Sequence, residues 1–239
     1  MNKSSDWLPS VHASLNIQTD PETYEIENRA IDPEGRIETA MRSIADWSGR
    51  DMLDLGAGTG YQVPGFAETA RHVFAVEPDD PSRLAAMERC ARLQVQNASV
   101  LVGSAESIPL RDGSVDVVHA RFAYFWGPGC EPGIAEVRRV LRPGGTAFVI
   151  DNDLRNGTFA SWLRRAGSNG APDPDRVEEF WIDQGFVLTR VASSWRFENR
   201  DDLERVVRLE FPERLVPELL AEVKGLEVEY HYALYSGTF

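Results

Sequence analysis

Cysteine is scarce. Cys90 and Cys130 are the only two in 239 residues, and neither stands in metal-ligand spacing. This argues against a disulfide framework and fits a reducing, cytoplasmic compartment. No apolar run approaches the length of a membrane span. The opening decapeptide MNKSSDWLPS lacks the apolar core of a secretory signal, so none is expected. Basic charge is also in deficit, with 25 Lys and Arg against 38 Asp and Glu, a formal net charge of -13. An acidic surface repels phosphate backbones and anionic lipid, so neither nucleic acid nor membrane is an expected partner.

What is present describes a globular chain. Hydrophobic residues make up 42%, enough to fill a core, and 19 glycines with 14 prolines are near average usage, so disorder is not the default. The length suits a single domain over 1–239. Residues 1–32 are expected to form an arm or lid, polar and irregular to about residue 30, with Thr19 to Thr23 reading as a turn that caps a short helix. Residues 33–151 alternate between strands and helices. Helices are predicted over 33–47, 61–70, 81–93 and 134–141, the last stopped by Pro143 and Gly144. Strands are predicted over 52–55, 73–76, 99–102, 115–118 and 146–150. Five short apolar strands separated by helix or loop predict a parallel sheet covered on both faces. Beyond Asp151 the pattern changes. Asn156-Gly157 and residues 168–172 read as loops, 175–184 as helix, and 186–197 and 227–235 as strands. Between those strands a helical stretch, 201–223, is expected to break at Pro212 and Pro217. The last strand alternates in polarity as an edge or antiparallel strand does.

The segment Asp54-Leu55-Gly56-Ala57-Gly58-Thr59-Gly60 follows an apolar strand and precedes a helix. Glycines there permit a tight turn and close approach of a ligand to the backbone. A dinucleotide fingerprint places its third glycine six positions from the first, where this chain has Tyr61. The pattern is Gly-x-Gly-x-Gly, and Asp54 makes the turn acidic, which suits a cationic ligand group better than a phosphate. Glu77, in Val76-Glu77-Pro78-Asp79, ends the second strand. A carboxylate at that point accepts hydrogen bonds from both ribose hydroxyls of a nucleoside, while Asp79 and Asp80 stand ready to cap the following helix.

Together these residues resemble the class I S-adenosylmethionine (SAM)-dependent methyltransferases, in particular the group acting on small molecules. The resemblance covers roughly residues 44–151. It implies a Rossmann-like α/β fold: a seven-stranded, mostly parallel sheet with helices on both faces and the last strand antiparallel, completed by residues 152–239, which also carry the acceptor site. It implies that the turn Gly56, Ala57, Gly58, Thr59 and Gly60 wraps the methionine part of SAM, that Asp54 helps hold the amino end, and that Glu77, followed by Pro78, binds the ribose. Ser104, Ala105 and Glu106, in the segment from Gly103 to Leu110, correspond to residues lining the adenine, with serine where relatives commonly carry aspartate. Arg121 and Phe122 occupy the strand end that faces the methionine. Leu141-Arg142-Pro143-Gly144-Gly145 matches a late motif of structural character.

Methyl transfer from a sulfonium is an in-line displacement that needs alignment and exclusion of water more than a general base, so no catalytic residue is assigned from the sequence. The acceptor is expected beyond the carboxyl ends of the strands, near Tyr124, Phe125 and Trp126, which either wall a flat substrate or cover the sheet end as core. Tyr24 lies either on a lid over the cofactor or on a docked arm. His119, within the fourth strand, is expected in a core or supporting role, and His12, His72 and His231 away from the site. Asp151-Asn152 resembles part of the metal site of catechol-type O-methyltransferases, but the fourth strand ends without an acid, so no metal is expected. An Asn-Pro-Pro-Tyr signature is absent. The expected activity is SAM-dependent transfer to oxygen or nitrogen of a small molecule, yielding S-adenosylhomocysteine, by a monomer or homodimer. The rival readings are a non-catalytic SAM-binding protein and a nicotinamide-dependent oxidoreductase.

Overall fold

The computed structural model describes residues 15–167 and 173–239. His12, the opening decapeptide and the loop expected at 168–172 lie outside them. The first strands are β1 (Asp51–Leu55), β2 (His72–Val76), β3 (Ala98–Leu101) and β4 (Val115–Arg121), followed by β5 (Leu141–Asn152), β6 (Val187–Arg196) and β7 (Glu227–Thr238). They form one sheet in the order β3-β2-β1-β4-β5-β7-β6. The first five are mutually parallel, and β7 runs antiparallel to both neighbours. This is the Rossmann-like seven-stranded sheet of the methyltransferase fold. The strand order reverses between β1 and β4, and sheets of this kind bind ligands in the crevice at that switch, beyond the carboxyl ends of the strands.

Successive residues of each central strand point to opposite faces, which divides the core in two. Met52, Val73, Val117 and Phe148 pack on one side with α3 (Arg36–Ile44), α4 (Val63–Ala67), α9 (Arg200–Glu210) and α10 (Val216–Glu222). Leu53, Val76, Val118 and Val149 pack on the other with α6 (Glu131–Val140) and α8 (Pro174–Asp183). Burial on both faces is why these strands read as continuous apolar runs.

Several elements depart from the sequence reading. The segment before residue 30 is helical: α1 (Leu15–Thr19) and α2 (Pro21–Ala30). Asp20 caps α2 by accepting from the Thr23 amide at 3.0 Å, and Pro21 supplies a preset first turn. The buried face of α2, Thr23, Ile26, Glu27, Asn28 and Ala30, contains three polar residues and so escapes a hydrophobic-periodicity search. Asn156-Gly157 does not form a loop but opens α7 (Gly157–Ala166), whose Phe159, Ala160 and Trp162 are buried. The helix expected over 61–70 shrinks to α4, and that expected over 81–93 is α5 (Asp80–Arg92). Helix α6 ends at Val140, before Pro143. The Pro143-Gly144-Gly145 run is an irregularity inside β5, between the pairings Val115–Leu141 and Val117–Thr146. Pro212 lies in the break between α9 and α10, whereas Pro217 occupies the first turn of α10. Strand β7 is internal, and β6 is the edge.

Candidate cofactor and acceptor site

The glycine turn leaves β1 at the switch point. The Gly56 and Ala57 amides donate to the Val76 carbonyl at 2.9 and 3.1 Å, tying the turn to the end of β2. Gly56, Gly58 and Gly60 all have positive φ, at 75°, 54° and 71°. A Cβ on Gly56 would lie 2.5 Å from the Ala123 Cβ, and one on Gly60 would lie 2.8 Å from the Ala86 Cβ on α5. At these two positions glycine is required by conformation and by close packing together.

Glu77 is buried at the head of β2. Its two carboxylate oxygens accept from the Gly58 amide at 2.8 Å and the Asp79 amide at 2.9 Å. Burial raises its pKa to about 7, against the pull of those two amides. No arginine or lysine lies within ion-pair distance of it among the described residues. Each oxygen has a further lone pair for a hydroxyl donor. Asp79 caps α5, accepting from the Ser82 amide at 3.0 Å. Ser104, 7% exposed, carries a hydroxyl with no hydrogen-bond partner among the described residues, in a tight turn closed by Ser104–Ser107 backbone bonds. A buried orphan hydroxyl is costly unless a ligand satisfies it. The buried carboxylate, the glycine floor and this hydroxyl fit the ribose, the methionine part and the adenine edge of SAM. Ala105 is buried in the core beside it, Glu106 accepts from the Tyr124 hydroxyl at 2.6 Å, and Pro78 is half-buried after Glu77.

Asp54 is 3% exposed, and its Oδ1 lies 2.8 Å from His119 Nδ1 across the β1–β4 pair. His119 is itself buried, with its ring edge-on to Phe66 at 4.9 Å. Arg121 is turned toward the arm, donating to the Asn28 Oδ1 of α2 at 3.0 Å. Thr59 donates to Glu25 Oε1 at 2.6 Å, and Arg89 on α5 reaches Glu25 Oε2, also at 2.6 Å. Glu25 thus latches α2 onto the glycine turn, a contact with no signature in the sequence. The arm lies directly over the turn: a Cβ built on Gly58 would sit 3.4 Å from Ile17 Cδ1 and 3.9 Å from the Tyr24 hydroxyl.

Beside the turn opens a cavity of about 770 Å³, formed by α2, the loop after β4, the end of β5, α7 and β7. Tyr24, Phe122 and Trp126 line it, together with Phe159, Tyr230 and Tyr235. The aromatic run after β4 divides. Phe125 is 2% exposed and packs near Trp181 in the core, and Tyr124 is held by Glu106, so only Trp126 of the three faces the cavity. Phe122 and Tyr124 both have φ of 52°, a conformation costly for aromatic residues and met most often at functional sites. The sequence reading missed Glu27 and Glu210 in the wall and considered Asp151 only as part of a metal site. Glu27 and Glu210 come from helices some 180 positions apart, and only the folded arrangement of α2 against α9 brings their carboxyls into hydrogen-bond contact.

Residues 53–149 match the family described as "Methyltransferase domain". The chain is 38% identical over 142 residues to an uncharacterized methyltransferase of Mycobacterium tuberculosis, covering 55% of this chain and 54% of that protein. It is 35% identical over 94 residues to the malonyl-[acyl-carrier protein] O-methyltransferase of Methylococcus capsulatus, covering 39% and 34% respectively. At most, then, the chain spans about half the length of these curated relatives. A putative methyltransferase from Bacillus halodurans has a similar structure, with TM-score 0.62 and 18% identity over 84% of this chain and 97% of that one. Residues 53–149 thus match a methyltransferase domain, and the fold around them is that of the class I SAM-dependent methyltransferases. The segment that carries the match, residues 53–149, runs from β1 to β5, five of the seven strands.

Proposed function

We propose that this chain transfers the methyl group of SAM to an oxygen or nitrogen of a small molecule. The observation that carries this reading is the position of Tyr24: it lines the 770 Å³ cavity while its hydroxyl approaches Gly58 of the turn, so the cavity adjoins the proposed cofactor seat. SAM supplies a methyl group already activated by the positive charge on sulfur, and S-adenosylhomocysteine is the product.

The chain's own contribution is positioning. Glu77 accepts from the ribose hydroxyls, Ser104 meets the adenine edge, and the glycine backbone lets the methionine part approach closely. Phe122 and Tyr24 exclude water and hold the acceptor in line, which is the larger part of catalysis for a displacement of this kind. A cavity of this size accommodates a metabolite. The test is isothermal calorimetry with S-adenosylhomocysteine, followed by single-turnover assays with radiolabelled SAM over a panel of hydroxyl and amine acceptors. Binding with stoichiometry near one and label on an acceptor are expected. Binding without transfer to any acceptor would point to a non-catalytic SAM-binding protein, and absence of binding would end the proposal.

A further inference from the structure

The polar part of the cavity wall is acidic, with more carboxyl groups than the two arginines, Arg190 and Arg214, that share it. Five carboxyl groups line it: Glu27, Glu210, Asp151, Asp153 and Glu178. The last two are neutralised, with Arg190 3.4 Å from Asp153 and 2.5 Å from Glu178, and Arg155 2.7 Å from Glu178. The first three make no ion pair among the described residues, although the Arg121 charge acts on Glu27. Glu27 and Glu210 are hydrogen-bonded to each other, and Asn16 donates to Glu210. Among the described residues, the Asp151 carboxylate accepts only from the Asn152 amide, at 2.7 Å. Asn28 lines the same cavity, is 3% exposed, and has its amide beside the Tyr24 hydroxyl.

We propose that the cavity selects a cationic amine, an alkyl- or arylalkylammonium acceptor held between Asp151 and the Glu27–Glu210 pair and flanked by the aromatic wall. This rests on the reading of the cavity as the acceptor site. A carboxylate or phosphate acceptor would enter a space in which five carboxyl groups outnumber two arginines, and like charges in a partly desolvated site repel strongly. A neutral alcohol gains a hydrogen bond but leaves the uncompensated charge in place. An ammonium group neutralises it and lies against aromatic faces that attract cations, among them Trp126 and Tyr230. The same carboxyls serve the chemistry. Burial raises the Asp151 pKa to about 7, and both members of the glutamate pair are pushed up by burial, so a proton acceptor is available near neutral pH. The bound ammonium yields a proton to a carboxylate, and the freed lone pair forms the new carbon–nitrogen bond. The sulfur–carbon bond of the donor breaks with its electron pair remaining on sulfur.

The experiment uses the full chain saturated with S-adenosylhomocysteine and three probes of matched shape: 2-phenylethylamine, 2-phenylethanol and 3-phenylpropionate. Calorimetry is expected to show the amine binding at least about tenfold more tightly than the alcohol, with no heat from the acid. Asp151→Asn and Glu210→Gln are each expected to weaken the amine by about tenfold or more. Both should leave S-adenosylhomocysteine affinity unchanged, which also shows that the variants are folded. An amine that binds no better than its alcohol, or that is indifferent to both substitutions, overturns the inference. A protein that prefers the amine but gives no heat with S-adenosylhomocysteine would sink methyl transfer and leave the amine site standing.

Discussion

At the scale of single residues, the candidate cofactor seat rests on groups that the protein leaves unsatisfied. Among the described residues, Glu77 is a buried carboxylate met by two backbone amides and no cation, and Ser104 is a buried hydroxyl without a hydrogen-bond partner. Glu77→Ala should weaken SAM binding by about 1–3 kcal/mol, the range for losing a hydrogen-bond partner to a charged group. An unchanged dissociation constant by calorimetry would remove Glu77 from the site. The glycines make a second, structural prediction. Gly60→Ala places a Cβ 2.8 Å from Ala86 Cβ and 3.0 Å from Ala86 Cα, at positive φ. Gly113→Ala also sits at positive φ, 57°, but meets nothing within 4 Å. Thermal unfolding should therefore show the larger loss for Gly60→Ala, about 1–3 kcal/mol from overpacking against a helix in addition to strain shared by both. Equal losses would mean that α5 moves aside freely. The sequence singled out Asp54, Glu77 and the glycines individually. It gave no sign that Asp54 is bonded to His119, because that contact depends on the register between β1 and β4.

At the scale of elements, the arm is the part most changed by seeing the fold. Helix α2 packs over the glycine turn through Glu25, which joins Thr59 and Arg89, and through Asn28, which joins Arg121. Any cofactor entering beneath it displaces or lifts this segment. Glu25→Ala removes both latch contacts at once and should raise amide hydrogen exchange across Pro21–Ala30 while leaving β1 and β4 protected. Unaltered exchange in α2 would show that its apolar contacts, Ile26 and Ala30, hold it alone. The aromatic run illustrates the opposite case. Tyr124, Phe125 and Trp126 are adjacent in sequence, yet one is tied to Glu106, one is core, and one lines the cavity, because the strained turn after β4 sends consecutive side chains in different directions.

At the scale of the whole molecule, buried carboxyls make stability depend on pH in a definite direction. The pKa of Glu77 rises from 4.5 to about 7 on folding and that of Asp151 from 3.8 to about 7, both through burial. Between about pH 4.5 and 7 the folded state holds protons that the unfolded chain has released. These groups therefore favour folding fully at low pH, and their contribution is lost as pH rises through 7. The ligand-free protein should show a falling melting temperature from pH 5 to pH 8. Asp151→Asn should flatten part of that slope and melt roughly 2–6 °C above the wild type at pH 8. A flat or rising wild-type profile over this interval would contradict the burial of these groups in solution.

The order of motifs from Leu53 to Gly145 was enough to determine the fold class, the glycine turn and its carboxylate, because a parallel sheet buried on both faces writes itself as apolar runs and its turns as local glycine and proline patterns. Tertiary structure alone decided the rest. The helical arm reads as polar because its buried face carries Glu27 and Asn28. The place of β7 between β5 and β6 comes from a long-range pairing. The acidic wall of the cavity joins α2 to α9 and to the end of β5, and charges brought together by long-range packing leave no periodicity or spacing in the chain that encodes them.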